Sequence, residues 1–274
     1  MLQTAQMENK VVLITGGSSG IGKITGLYLS SLGNKVYGTT RSLKKYTDFN
    51  EFTLLELDVK APETIQKTID EILLREGRID VLINNAGVGI TGPIEETPID
   101  EINKVFDTNL NGPIRLIQAV LPQMRKQNSG LIINITSIAG YMGLPFRGIY
   151  SATKGSLELV TEALRMETKS QGIHLVNLAP GDFATNIASG RYHAPVLQDS
   201  PYSAYARTLE SINEDVASAQ DPILVAKMVA KIMNKKNPKA HYLVGTFMQR
   251  LSVFLKKIVP SNVFEKLLLN HYKL

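Results

Sequence analysis

The stretch that decides the fold is Val11-Val12-Leu13-Ile14-Thr15-Gly16-Gly17-Ser18-Ser19-Gly20-Ile21-Gly22. Its first five residues form a short apolar run rich in β-branched side chains, which predicts a strand buried on both faces. The glycines that follow permit a tight turn and a close approach of the backbone to a phosphate group. The helix predicted over 21–31 begins at these glycines, so its unpaired N–H groups and partial positive charge would face that anion.

The same strand-then-helix pattern continues along the chain. Six further apolar runs predict strands at 35–40, 53–57, 81–84, 131–136, 174–178 and 241–244. Segments of helical period lie at 21–31, 61–75, 99–126, 148–171 and 222–235. Alternation of this kind predicts an α/β fold, a doubly wound parallel sheet of seven strands with helices on both faces.

Composition narrows the class of protein. With 43% hydrophobic and 20% charged residues, a chain of 274 residues fits one large globular domain rather than a disordered chain. The absence of cysteine excludes disulfides, cysteine-ligated metals and thiol nucleophiles, and the four scattered histidines predict no metal site. Residues 1–9 are polar and no apolar run approaches the roughly 18 residues of a membrane span, so we expect a cytoplasmic protein.

The net charge of +5 is distributed unevenly, because residues 225–274 carry +9 and residues 1–224 carry −4. Lysines within 227–239 fall largely on a predicted helix and its exit turn, where they form a solvated face, so we expect no nucleic-acid partner. Residues 246–274 predict two amphipathic helices separated at Pro260, an extension of a main domain over 1–245. We favour packing of this extension on the protein itself, although peripheral contact with an anionic membrane is the alternative.

Several polar residues stand where the predicted sheet would bind a ligand. Tyr150 and Lys154 share one face of a helix, and a neighbouring ammonium favours the phenolate form, so the tyrosine could exchange a proton with a carbonyl or alcohol oxygen. Ser137 follows the strand at 131–136 and could bind that oxygen, or merely cap a turn. Asn109 is a poor helix former inside a helical segment, which predicts either a local kink or a functional role for its polar side chain.

Two more motifs follow predicted strands, Asn84-Asn85-Ala86-Gly87 and Pro180-Gly181 with Thr185 four residues later. A P-loop is the competing interpretation of the first glycine turn, because Gly17, Gly22 and Lys23 have its spacing. That motif requires serine or threonine next to place a hydroxyl on Mg²⁺, and this chain has Ile24. We therefore disfavour a nucleoside triphosphatase as the interpretation of this motif.

Taken together, these motifs resemble the short-chain dehydrogenase/reductase family over residues 10–245, a Rossmann-type fold. The resemblance implies a catalytic tetrad of Asn109, Ser137, Tyr150 and Lys154. It also implies hydride transfer between a nicotinamide and a carbonyl or secondary alcohol. A protein of the same fold that senses NADP(H) without turnover is the alternative. An epimerase of the extended branch is disfavoured by the glycine spacing.

The resemblance also implies a set of cofactor-binding residues: Gly16, Ser18, Ser19, Gly20, Ile21, Gly22, Arg41, Asp58, Val59, Asn85, Ala86, Gly87, Tyr150, Lys154, Pro180, Gly181 and Thr185. NAD-preferring members carry an acidic residue after the second strand, whereas this chain has Thr39-Thr40-Arg41-Ser42. Arg41 can pair with a 2′-phosphate, so we expect NADP(H) to be preferred and NAD(H) to be possible.

The substrate is less closely specified. Gly143-Leu144-Pro145-Phe146 resembles the hydroxysteroid and retinol dehydrogenase branch, which implies a bulky, steroid- or lipid-like alcohol or ketone. The residues expected to contact it are Ser137, Met142, Leu144, Phe146, Tyr150, Phe183 and Ile187. Packing of loops against the core is the alternative role of the apolar residues. Residues 182–219 are interpreted as a substrate loop or lid, with a surface insertion without function as the alternative. The family resemblance further implies a homodimer or homotetramer formed through the helices at 99–126 and 148–171.

Overall fold

The computed structural model describes residues 9–183, 190–217 and 220–274. Its strands are β1 (Val11–Ile14), β2 (Lys35–Thr40), β3 (Thr53–Glu56), β4 (Val81–Asn84), β5 (Ile90–Thr91), β6 (Gly130–Ile135), β7 (Ile173–Pro180), β8 (Tyr192–His193) and β9 (His241–Val244). Seven of them form one parallel sheet in the order β3-β2-β1-β4-β6-β7-β9. The doubly wound sheet of seven strands is therefore confirmed. Its strand order reverses between β1 and β4, which leaves a crevice at their carboxyl ends.

Helices cover both faces of this sheet. They are α1 (Gly20–Ser31), α2 (Pro62–Glu76), α3 (Ile99–Phe106), α4 (Gly112–Gln127), α5 (Gly148–Glu167), α6 (Tyr205–Ala217), α7 (Ile223–Met233), α8 (Phe247–Ile258) and α9 (Ser261–Tyr272). None of the helices within the described residues is both long and apolar enough to cross a membrane.

Alternate side chains of each strand enter two separate cores. Val11 and Leu13 pack on one face of the sheet with side chains of α2 and α4. Val12 and Ile14 pack on the opposite face with side chains of α7. Because both faces of β1 are covered, its four residues are all apolar.

The described part of the expected substrate loop at 182–219 contains regular structure. β8 pairs in parallel with β5 to form a small second sheet, and α6 follows. Tyr205, Thr208 and Ile212 are buried at helical spacing, so α6 has an inner face. The Tyr205 hydroxyl donates to the carbonyl oxygens of Thr91 at 3.2 Å and Ala194 at 3.0 Å, which ties α6 to the small sheet.

The C-terminal helices pack against the turn that follows β6. Val253 of α8 and Phe264 of α9 are buried with Ile138 and Met142 in a third apolar cluster. A capping box starts α8, in which the Thr246 hydroxyl accepts from the backbone N–H of Gln249 and the Gln249 side chain accepts in return. One face of the segment thus packs on the protein.

The outer face of these helices is nevertheless apolar and exposed. Phe247, Met248, Phe254 and Ile258 of α8 are each more than half exposed. The amphipathic pattern of the sequence therefore has two apolar sides, of which the described chain covers one.

Candidate active site

The carboxyl ends of the central strands open into one cavity of about 510 Å³. Its lining includes these predicted residues: Gly16, Ser18, Ser19, Gly20, Ile21, Arg41, Asp58, Val59, Asn85, Ala86, Gly87, Ser137, Tyr150, Lys154, Pro180, Gly181 and Phe183. Gly22 and Asn109 lie behind this lining. Thr185 and Ile187 lie outside the described residues. The fold thus brings most of the predicted set together from widely separated parts of the chain.

The glycine turn leaves no room for side chains. Gly16 and Gly20 have φ values of +65° and +53°, a conformation that side chains disfavour. A Cβ on Gly17 would lie 2.6 Å from the Cα of Gly38, and a Cβ on Gly22 would lie 2.3 Å from the Gly16 carbonyl oxygen. Glycine is therefore required here by close backbone packing as well as by the turn itself.

The amino terminus of α1 faces the cavity beside this turn. Its first turn carries no acidic residue, and Ser18, Ser19, Gly20 and Ile21 all line the cavity. Unpaired backbone N–H groups and the positive end of the helix dipole are therefore available to an anion. These residues fit the diphosphate of a dinucleotide, because the tight glycine turn brings the amino terminus of α1 to the cavity wall.

Thr15 and Asn85 join the glycine turn to the motif after β4. The Thr15 hydroxyl accepts from the backbone N–H groups of Asn85 at 2.9 Å and Ala86 at 3.0 Å. The Asn85 side-chain amide donates to the carbonyl oxygens of Thr15 at 2.9 Å and Gly16 at 3.3 Å. Sequence reasoning missed the role of Thr15, since nothing in its local pattern shows that β1 and β4 are neighbours.

Lys23 is turned away from the position that a P-loop lysine would need. Its ammonium pairs with Glu51 at 2.6 Å and lies 5.0 Å from the centre of the Phe49 ring. The lysine is absent from the cavity lining. This geometry argues against phosphate binding by Lys23.

Two basic side chains border the cavity beyond β2. Arg41 and Lys45 line it together with Ser42, and among the described residues neither has a carboxylate within 4.0 Å. Glu56, at the end of the adjacent β3, instead accepts from the backbone N–H of Leu43 at 3.2 Å. Lys45 was missed in the sequence. It reaches the cavity because a short 3₁₀ turn, Leu43–Lys45, follows β2.

Asp58 and Val59 form the cavity wall beyond β3. The Asp58 carboxylate accepts from the backbone N–H of Lys60 at 2.9 Å, which holds the turn. The Val59 carbonyl accepts from the guanidinium of Arg115 at 3.3 Å, and Arg115 pairs with Asp107 at 2.7 Å. The wall is thus fixed from behind by α4.

Tyr150 and Lys154 lie one turn apart on α5, with Ser137 facing them from the end of β6. The Lys154 ammonium is buried, donates to the Ile135 carbonyl at 2.9 Å and lies 6.0 Å from the centre of the Tyr150 ring. The Ser137 hydroxyl accepts from the backbone N–H of Ala139 at 3.1 Å and donates to the Pro180 carbonyl at 3.5 Å. The latter bond is long, so the hydroxyl is available to a substrate oxygen.

Asn109 lies in a π-helical turn, Asp107–Asn111, between α3 and α4. The predicted local interruption of the helix is therefore confirmed. Its side chain accepts from the backbone N–H of Val88 at 2.8 Å and donates to the Val88 carbonyl at 2.9 Å and the Thr153 hydroxyl at 3.2 Å. A Cβ on Gly87 would lie 3.3 Å from Asn109 Oδ1 and 3.4 Å from Lys154 Nζ, so this glycine keeps the two side chains close.

A buried carboxyl group behind Ser137 was not predicted. Glu158, one turn after Lys154, accepts from the hydroxyls of Thr136 and of Tyr141 at 2.8 Å, and contacts His241 at 2.9 Å. Burial raises the pKa of Glu158, and burial together with the Glu158 charge raises the pKa of Tyr141. The cluster joins β6, α5 and β9, so no single stretch of sequence reveals it.

The predicted apolar substrate residues separate into two groups. Phe183 lines the cavity, whereas Met142 and Leu144 pack into the cluster with α8 and α9. Phe146 has a φ of +56°, and its ring lies 5.3 Å from that of Tyr205. Met142, Leu144 and Phe146 are therefore not part of the cavity lining. Met142 and Leu144 contact the C-terminal helices, and Phe146 contacts Tyr205 of α6.

Geometry of this kind defines a class, an α/β protein that binds a dinucleotide and presents a proton-transfer group beside it. The chain matches the family described as short chain dehydrogenase over residues 10–195. It belongs to that family.

Similar proteins agree with this assignment. A 3-ketodihydrosphingosine reductase of Bacteroides thetaiotaomicron is 37% identical over 261 residues, covering 94% of this chain and 96% of that protein. The 17-beta-hydroxysteroid dehydrogenase type 1 of Mus musculus is 33% identical, covering 86% and 74% respectively. The solved structure of ElxO with NADP bound is 28% identical, covers 86% of this chain and 96% of that one, and has a TM-score of 0.69.

The chain is therefore an NAD(P)-dependent oxidoreductase that acts on a CH–OH or C=O group. The chain is an enzyme. It is therefore neither the NADP(H)-sensing regulator nor the nucleoside triphosphatase that were considered from the sequence.

Proposed function

We propose that this enzyme uses NADP(H) to interconvert a bulky, lipid- or steroid-like ketone and its secondary alcohol. The observation that carries the cofactor choice is the pair of basic side chains, Arg41 and Lys45, at the end of β2. A 2′-phosphate carries charge that a guanidinium binds through charge-assisted hydrogen bonds. A carboxylate at this position would instead favour the ribose hydroxyls of NAD, and Glu56, which accepts from the backbone N–H of Leu43, does not line the cavity.

The proposed binding site extends from Arg41 to Pro180. The adenine end would contact Asp58 and Val59, the diphosphate would lie at the amino terminus of α1, and the nicotinamide end would lie beside Asn85–Gly87 and Pro180-Gly181. When bound, the nicotinamide supplies or accepts the hydride.

Four side chains supply the remaining chemistry. Tyr150 gives a proton to the carbonyl oxygen in reduction and removes it in oxidation. Ser137 exchanges its long bond to Pro180 for one to that oxygen. The buried ammonium of Lys154 stabilises negative charge on Tyr150, and Asn109 holds the neighbouring backbone for a water that links Lys154 to solvent.

The substrate class is supported by the names of two relatives, a ketodihydrosphingosine reductase and a hydroxysteroid dehydrogenase. Phe183 and Ile90 give the cavity an apolar border near Tyr150. Val196 and Leu197, which follow β8, are exposed apolar side chains. A long apolar chain could extend along them from a carbonyl at Tyr150.

A panel of ketones tests this proposal. NADPH oxidation is followed at the nicotinamide absorbance with long-chain 3-ketones, ketosteroids, retinal and small aldehydes. We expect kcat/KM to be highest for a bulky apolar ketone. Turnover confined to the small aldehydes would contradict the proposed substrate class.

We also propose a homo-oligomer formed through α4 and α5. Leu159 and Met166 lie two turns apart on α5 and are 67% and 72% exposed in the single chain. Exposed apolar side chains on one helix face favour contact of that face with a second subunit. Light scattering after size-exclusion chromatography should give a dimer or tetramer, and Leu159→Glu should give a smaller species. A monomer at micromolar concentration would overturn this arrangement.

A further inference from the structure

Two arginines of the cavity lining interact with Tyr150. Arg147 and Arg191 both line the cavity, and the Arg147 guanidinium lies 5.7 Å from the centre of the Tyr150 ring. Arg191 passes over Gly89, where a Cβ would lie 2.9 Å from its Cγ and Nε atoms. Gly89 therefore leaves the space through which the Arg191 side chain enters the cavity.

Neither of these two charges forms an ion pair within the part of the chain that the structure describes. Neither guanidinium has a carboxylate within 4.0 Å, and the buried Nη1 of Arg191 has no hydrogen-bond partner there. Asp182 attracts Arg191, but its carboxylate accepts from the Gln249 amide at 2.8 Å. Burial, and then the charge of Arg147, lower the pKa of Arg191. Burying an unpaired guanidinium is costly unless a ligand supplies the opposite charge.

We propose that Arg147 and Arg191 bind an anionic group, a carboxylate or a phosphate, carried by the ketone substrate within a few bonds of its carbonyl. This inference rests on the proposed function, because it assumes that the carbonyl lies at Tyr150. The planar donor fork of arginine suits both anions.

The same chemistry has a second source, the diphosphate of the cofactor. The amino terminus of α1 already offers unpaired N–H groups for that diphosphate. Arg147 and Arg191 lie instead beside Tyr150, where the substrate must approach. We therefore assign the arginine pair to the substrate, and the experiment separates the two sources by measuring cofactor affinity.

The first arm of the experiment uses matched ketones. A long-chain 3-oxo acid is compared with its methyl ester, and a long-chain hydroxyketone with its phosphate monoester. We expect kcat/KM to be about 10- to 100-fold higher for one anionic form than for its neutral partner. Arg191→Gln should remove most of this preference and leave the neutral ketone and the NADPH Kd within about two-fold. Arg75→Gln, which removes a charge from exposed α2, is the matched control.

The second arm needs no turnover. Calorimetry measures binding of decanoate, decyl phosphate and decanol to the protein saturated with NADP⁺. Binding of either anion that is tighter than binding of decanol, and that is lost in Arg147→Gln and Arg191→Gln, supports the site. Absence of turnover with every ketone in the panel would refute only the proposed function. Equal effects of Arg191→Gln on neutral and anionic ketones would overturn the inference. A large rise in NADPH Kd would overturn it as well, because the arginine would then bind the cofactor.

Discussion

The two sides of the cavity are built by different means. The cofactor side (residues 15–22, 38–45 and 84–87) is shaped by backbone packing, in which Gly17 and Gly22 leave less than 3 Å for a Cβ. The other side, which Arg147 and Arg191 line and which we call the substrate side, is supported by side chains from elements far apart in the sequence, such as Met142 against Val253 and Phe264.

This difference explains which side tolerates change. The glycine positions of the cofactor side accept few other residues, because a side chain there would displace main-chain atoms. A surface assembled from side chains accepts many sequences, so the substrate can vary while the cofactor and the chemistry stay the same. The predictions below test that division.

Tyr150→Phe tests the group at which the two sides meet. The ring remains and the proton donor is removed, so kcat should fall by about 10²- to 10⁴-fold. NADPH Kd, measured by fluorescence titration, should remain within about two-fold. Near-normal turnover by this variant would remove Tyr150 from the chemistry.

Gly22→Ala and Gly143→Ala compare the two sides directly. A Cβ on Gly22 would meet the Gly16 carbonyl oxygen at 2.3 Å, whereas a Cβ on Gly143 meets nothing within 4 Å. Gly22→Ala should lower the free energy of unfolding by about 1–3 kcal/mol and weaken NADPH binding at least about ten-fold. Gly143→Ala should change neither quantity measurably. Equal effects in urea unfolding and NADPH titration would show that the cofactor side is not specially constrained.

Glu158→Gln tests the buried support behind Ser137 by its pH dependence. Because burial raises the folded pKa of Glu158 above its usual 4.5, the folded state binds more protons than the unfolded state above that pH. Stability of the wild type should therefore fall as pH rises from about 4.5 towards the raised pKa, and Glu158→Gln should lack that part of the slope. The measurement is urea unfolding at a series of pH values.

Glu76→Gln is the matched control, because the pKa of Glu76 is shifted in the opposite direction to that of Glu158. The hydrogen bond from Lys35, with that from Tyr37, lowers the pKa of Glu76, so its stabilisation is lost as pH falls through the folded pKa. The wild type should therefore lose stability relative to Glu76→Gln below about pH 4.5. Parallel slopes for wild type and Glu158→Gln would contradict the burial argument.

Local sequence patterns predicted the fold well because the strands, the glycine turn and the Tyr150–Lys154 spacing each lie within one short stretch. The seven strands follow those patterns, and the interruption at Asn109 is a π-helical turn. β5 and β8 were missed because two residues carry no periodicity.

The substrate side could not be predicted to the same depth. Met142 and Leu144 look like pocket residues until α8 and α9 cover them, and that contact joins positions more than 100 residues apart. Arg147 and Arg191 are unremarkable in the sequence. They gain meaning only when the fold places both beside Tyr150 without a carboxylate partner among the described residues.

The coenzyme preference tests the central claim most directly. With the best ketone of the panel, kcat/KM is measured with NADPH and NADH for wild type, Arg41→Ser and the control Arg75→Gln. We expect wild type and Arg75→Gln to favour NADPH, and Arg41→Ser to lose about 10- to 100-fold with NADPH and little with NADH, because one charge-assisted contact is removed. A higher kcat/KM with NADH in the wild type, or an unchanged ratio in Arg41→Ser, would contradict the account.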